Sequence, residues 1–368
     1  MSNVNNVKDQ KKILREQRVA FFPSVKALSG NPYWPILATE LEKVGICIEY
    51  DAPASFNFRW LLENRRRIKI LNIHFVQQFY KSSSVVKKLI KLLMFGFNMQ
   101  VARLFGYRTV FTLHNLEPTY PLKPAWLDYL GHWMVANASE RVIVYCYKAR
   151  RLLKEKYGRS KGVYYVDHPN VIQYYPNTVS KETAREQLNL PTNSLVFAFI
   201  GGVRPNKGVE VLIQAFLSFK PKDDHYRLVI AGNIFPPKEY AKSLQKMAIE
   251  DERISFYLRF IPDDELQVFM NASDIIVLPF SKILTSGTAN LAMSFARPVI
   301  VPKMGCLPEL VETDFGWLFE ADDANSLAES MRIAANCDFE HIGQKAFEKV
   351  SRYSPERFAM QTMKVYCE

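Results

Sequence analysis

Between Gly201 and Gly208 the chain reads GGVRPNKG. An apolar run, Leu195–Ile200, precedes it, and VEVLIQAF (Val209–Phe216) follows with helical spacing. The order is strand, glycine turn, helix start. Two adjacent glycines let the backbone approach a ligand closely. A helix start offers free N–H groups and the positive end of the dipole. Arg204 can grip two oxygens at once, and Lys207 acts as a point charge. Gly202, Arg204 and Lys207 therefore form a candidate diphosphate cradle. The run is neither a GxxxxGKS/T loop nor GxGxxG, and the same residues also read as a plain turn with solvated charges.

A second stretch has the same character. Thr285, Ser286, Gly287 and Thr288 open the helical run ANLAMSFA, which leads into the strand-like RPVIVPK. Ser286, Gly287 and Thr288 offer hydroxyls and amides at a helix start, although an ordinary Ser/Thr cap would look the same. Two such starts, one beside two cations, favour a diphosphate over two unrelated turns.

Elements that would position these groups recur along all 368 residues. The first half alternates strand-like runs with helical ones: RVAFFPSV, ICIEYDA, IKILNIHFV, YRTVFTLHN, RVIVYC and VYYVDHP. The second half repeats the pattern with LVFAFI, RLVIAGN, ISFYLRFI, DIIVLPF and RPVIVPK. Strands separated by helices pair in parallel, so the expected fold class is α/β with two Rossmann-like, doubly wound sheets. The polar, Thr/Asn/Pro-rich stretch at 179–194 reads as a linker. The expected division is 1–178, the linker 179–194, a second domain 195–350, and a final helix 351–368 packing back on the first domain.

The second half resembles the nucleotide-binding domain of GT-B glycosyltransferases of the family 4 type. The resemblance rests on FIGGVRPNKGVEVLIQAF, RLVIAGN, FIPDDELQVFMNASDIIVLPF, SGTANLAMSFARPVIVPKMGCLPELV and FGWLFEADDANSLAESM, in that order. It implies two domains facing a central cleft and a nucleotide-diphosphate sugar held by Gly202, Arg204, Lys207, Ser286, Gly287 and Thr288. Two departures stand out. The arginine usual after the first glycine is Gly202 here. The family's paired glutamates fall on Ile283 and Leu291, which leaves the contacts to sugar and ribose unassigned. The TSGT version resembles bacterial exopolysaccharide β-mannosyltransferases, which implies GDP-mannose first and a UDP-sugar next.

In that architecture His114, at the end of RTVFTL, faces the cleft and could take a proton or hydrogen-bond the sugar. Glu117 is the nearest carboxylate and a candidate base. Gly30 and Asn31, in the first loop, and His168, after the sixth strand, are candidates for the cleft or acceptor, or for a turn and a hinge. His74 reads as structural. No DxD motif follows a strand, so no metal or other cofactor is expected; helix starts and cations would neutralise the leaving diphosphate. A sugar-nucleotide epimerase and a catalytically degenerate scaffold subunit are the alternatives.

The formal charge of +11 speaks about partners rather than fold. The segment 81–108 contains Lys81, Lys87, Lys88, Lys91, Arg103 and Arg108 and no acid. On a helical wheel Lys87, Lys88 and Lys91 share one side, and Val85, Val86, Leu89, Ile90, Leu92 and Leu93 take the other. Such a helix can lie on an anionic membrane surface, as a lipid-linked glycan acceptor would require. Nucleic acid is not expected, because no stacking platform or known module accompanies the charge. Five cysteines lack metal-ligand spacing, the opening MSNVNNVKDQKKILREQ is no signal peptide, and no apolar run reaches spanning length. The expected place is cytoplasmic, peripheral on the inner membrane face.

Overall fold

The computed structural model describes residues 17–28, 32–118, 121–219, 225–312 and 314–367. By contacts the chain divides into two units, 1–169 with 354–368, and 170–353.

The first unit holds six parallel strands in the order β2-β1-β3-β4-β5-β6. They are β1 (Arg18–Phe22), β2 (Cys47–Glu49), β3 (Ile70–Ile73), β4 (Arg108–Thr112), β5 (Arg141–Val144) and β6 (Val163–Tyr165). A parallel strand is covered on both faces, so its sequence is apolar rather than alternating; β3 and β5 are buried throughout. Buried Asn72 in β3 is satisfied on both sides: it donates to the Tyr366 hydroxyl at 2.6 Å and accepts from Thr112 at 2.9 Å.

Tyr366 lies on the last helix, Pro355–Cys367, which belongs to this unit. Phe358, Ala359, Thr362, Val365 and Tyr366 form its buried stripe at spacings of three and four. Arg108 and Arg141 donate to the terminal carbonyls of Tyr366 and Val365, where the helix dipole favours cations. Asp167 accepts from Arg357 at 2.7 Å and from Gln361 at 2.8 Å, clamping the same helix.

The second unit is again a six-stranded parallel sheet, ordered β12-β11-β10-β7-β8-β9. Its strands are β7 (Leu195–Ile200), β8 (Tyr226–Ala231), β9 (Ile254–Tyr257), β10 (Ile275–Val277), β11 (Val299–Pro302) and β12 (Gly316–Phe319). The sequence reading has no strand at β12. Four residues carry too little pattern to read, and the pairing with β11 creates the strand.

The presumed linker differs most from expectation. Residues 179–194 carry the helix Lys181–Gln187, capped by Ser180, and group with the second unit. Arg185 is buried and donates to Asp274 at 2.7 Å; Lys181 reaches the same carboxylate at 2.7 Å. A polar composition therefore conceals a helix tied to the start of β10. The division falls at 169/170 and 353/354 instead of 178 and 350.

Candidate functional site

In the second sheet, strand order reverses between β7 and β10. Open parallel sheets bind ligands outside the carboxyl ends of strands at such a switch point. The GGVRPNKG loop leaves β7 there and makes one 3-10 turn, Pro205–Lys207. Gly208 has φ +64°, and a Cβ on it would stand 2.0 Å from the Pro279 carbonyl oxygen, just after β10. The Ser281 amide also donates to the Asn206 carbonyl at 3.3 Å. The loops after β7 and β10 are thus sewn together at the switch point, and only glycine fits the seam.

Lys207 sits in this seam, its ammonium 4.2 Å from the centroid of the Phe280 ring. Among the described residues no carboxylate pairs with it. Burial pushes its ammonium down to about 7, and the Arg204 guanidinium adds to the shift. Arg204 lies 5.6 Å from the centroid of the Phe235 ring. Gly202 has a packing reason to be glycine, since a Cβ there would stand 2.7 Å from that ring.

The helix Gly287–Ser294 starts from the segment that follows β10. Buried Ser286 caps it, its side chain accepting from the Ala289 amide at 3.1 Å. The amides of Gly287 and Thr288 have no intrahelical acceptor, as at any helix start. No atom lies within 4 Å of a Cβ position on Gly287, which is exposed. Ile283 and Leu291 pack against the apolar core, so no carboxylate stands at either position.

In the first unit His74 and His114 meet where β3 and β4 end, with His168 nearby. His74 Nδ1 and His114 Nε2 are 3.0 Å apart. Phe75 stacks on the His114 ring at 5.3 Å, and Tyr33, Trp34 and Tyr145 surround it edge-on or tilted. The Tyr33 and Tyr145 hydroxyls share a short hydrogen bond, and His168 packs against both rings. Burial, with His168 nearby, pushes the His114 imidazolium down to about 3; burial pushes His168 down to about 4 and His74 well below the usual range. All three imidazoles are therefore neutral at pH 7.

The tautomers follow. His74 Nε2 is buried without a hydrogen-bond partner, and an orphaned N–H is the rarer buried defect. We therefore assign the His74 proton to Nδ1, which then donates to His114 Nε2 and leaves the His114 proton on Nδ1.

Glu117 takes a different direction. Lys156 holds it in an ion pair, and both line a cavity of about 300 Å³ with Trp126, Asp128 and Tyr157. Gly30 and Asn31 lie outside the described residues. Tyr33, Tyr145, Phe235 and Phe280 escaped the sequence reading. Each follows or faces a strand end, but an aromatic residue there carries no motif. Among the described residues no cluster of three or more His, Cys, Asp or Glu could hold a metal ion.

Residues 180–353 match the family described as glycosyl transferases group 1. The D-inositol 3-phosphate glycosyltransferase of Corynebacterium efficiens is 30% identical over 208 residues, 54% of this chain and 49% of that protein. The GDP-mannose:glycolipid 4-beta-D-mannosyltransferase of Xanthomonas campestris pv. campestris is 27% identical over 276 residues, 73% of this chain and 70% of that one. The chain thus spans about half the length of the first of these relatives and more of the second. Among solved structures, the sucrose-phosphate synthase of Thermosynechococcus elongatus superposes with a TM-score of 0.73 at 18% identity, over 95% of this chain and 98% of that one. Anabaena HepE in complex with UDP and glucose gives 0.71 at 17%, with the same coverage. At such identities the likeness is one of fold.

Proposed function

We propose that this chain, a GT-B member of the group 1 glycosyltransferases, moves a hexose from a nucleotide diphosphate to a hydroxyl of a glycan acceptor. The observation that carries the reading is Lys207: a half-buried ammonium with no carboxylate partner among the described residues, sewn into the switch point of the second sheet. A diphosphate is the anion that a cation and helix-start amides would hold there.

In the reaction, the acceptor oxygen bonds to the anomeric carbon as the bond from that carbon to the phosphate oxygen breaks. Lys207, Arg204 and the amides of Gly287 and Thr288 receive the charge that develops on the leaving diphosphate. We assign this work to fixed dipoles and cations and expect turnover to persist in EDTA. His114, a weak base while its imidazolium is so disfavoured, serves better as a hydrogen-bonding group toward a sugar or acceptor oxygen than as the general base. The acceptor proton then leaves through the diphosphate oxygen or through another base, and Glu117, engaged by Lys156, is the poorer candidate.

GDP-mannose is the donor we favour, with a UDP-sugar second. The name of the Xanthomonas relative supports the first and the nucleotide in HepE the second. A lipid-linked glycan is the acceptor we propose, on the ground of the glycolipid in the same Xanthomonas name, and polysaccharide assembly is the setting we propose for it.

The test is a thermal-shift screen with GDP-, UDP- and ADP-sugars, followed by assays of hydrolysis and transfer. Stabilisation by one sugar nucleotide with turnover supports the proposal; no stabilisation by any of them ends it. The apolar side chains at Ile283 and Leu291 favour a second reading, a subunit that binds the donor without reacting. Binding with no turnover on any acceptor would select that reading.

A further inference from the structure

The helix Val85–Leu104 does not present itself as its wheel suggests. Lys88 points inward and donates to the Lys123 carbonyl at 2.6 Å. Val86, Ile90, Leu93, Phe97 and Leu104 point outward, each more than half exposed. At 100° per residue these five lie on one ridge about 60° wide. Leu92, Phe95 and Met99 fill the opposite side, which is buried. The helix is thus apolar on two faces, and the fold uses only one. The neighbouring helix, Trp126–Ala138, packs against it and adds exposed Trp126, Tyr129 and Trp133.

Charge identifies what covers this face. Lys87 and Lys91 are exposed along one flank of the ridge, and Lys81, Arg103 and Lys123 are exposed too. No aspartate or glutamate occurs from Lys81 to Leu116. Asp128, on the second helix, is buried and accepts from Tyr80 and Gln77. An apolar ridge with basic flanks and a rim of Trp and Tyr matches the headgroup boundary of a bilayer. Acyl chains take the ridge, amphipathic rings sit at headgroup depth, and lysines extend to anionic lipids. Among the described residues no helix is long and apolar enough to cross a membrane, so the contact is shallow.

We infer that the face formed by Val85–Leu104 and Trp126–Ala138 docks the protein on an anionic phospholipid bilayer. The inference stands apart from the donor assignment. Its test is flotation of the full chain with vesicles of phosphatidylcholine alone or mixed with phosphatidylglycerol. Binding to the mixed vesicles, weakening with salt, is the expected result. The double variant Leu93→Ser/Phe97→Ser should bind more weakly, by roughly tenfold or more, with its melting unchanged because both side chains are exposed. Lys87→Glu/Lys91→Glu should lose the salt-sensitive part. Indole emission should shift to the blue on binding, and Trp133→Phe should reduce that shift. Failure to bind anionic vesicles, or equal binding by the serine variant, overturns the inference. So does a dimer in sedimentation velocity that the serine variant dissociates while vesicles remain unbound, since the face would then belong to a second copy.

Discussion

Lys207 and His114 are both half-buried bases, and desolvation prepares them for opposite tasks. An ammonium held near 7 gains its proton most readily beside an anion, so donor binding and protonation support each other. Donor affinity should fall as pH rises through about 7 toward the ordinary lysine range. Lys207→Arg should flatten that dependence, because guanidinium stays charged; titration of nucleotide binding at several pH values measures both. Lys207→Ala should cost roughly ten- to a hundredfold in affinity, the worth of a hydrogen bond to a charged group, with melting little changed. For the histidines the sign runs through the unfolded chain, which takes up protons below about 6.5, whereas the folded imidazoles resist until about 3 to 4. Their contribution is complete above 6.5 and is lost as pH falls through that window. His114→Phe should make stability in denaturant melts less steep between pH 7 and 4.

At the scale of elements, the loops that end β7 and β10 have to meet before either can hold a ligand. Gly208 makes that meeting possible. Gly208→Ala puts a methyl group against the Pro279 carbonyl at an unfavourable φ, at a cost of about 1–3 kcal/mol; donor affinity should fall with stability, unlike the Lys207 variants. The helix Lys181–Gln187 shows how composition misleads about an element. Its Thr, Asn and Pro neighbours mark a connection, yet Ser180 caps it and Arg185 locks it to Asp274. Asp274→Ala would strand a buried guanidinium, a loss of about 3–5 kcal/mol in chemical denaturation.

At the scale of the molecule, the chain leaves its first unit at residue 169 and rejoins it at 354. The last helix supplies Tyr366, Phe358 and the carbonyls that Arg108 and Arg141 bind. Truncation after residue 353 should therefore lower the melting of the first unit and leave the second nearly unchanged, visible as the selective loss of one calorimetric transition or as faster proteolysis within 17–169.

Local order determined much of this protein. Eleven of the twelve strands among the described residues, the two glycine- and serine-rich turns and the cation pair were legible, because strand period, turn chemistry and capping act over a few neighbouring residues. Other features were decided by contacts between residues far apart in the chain. The pairing of β12, the burial of Arg185, and the rings beside His114 and Lys207 belong here. So does the outward turn of Phe97 with Lys88 turned in. A helical wheel ranks polarity, but which side meets the core depends on the sheet and helices already there. Lys88 is held inward by a carbonyl 35 residues away, a partner that no local pattern encodes.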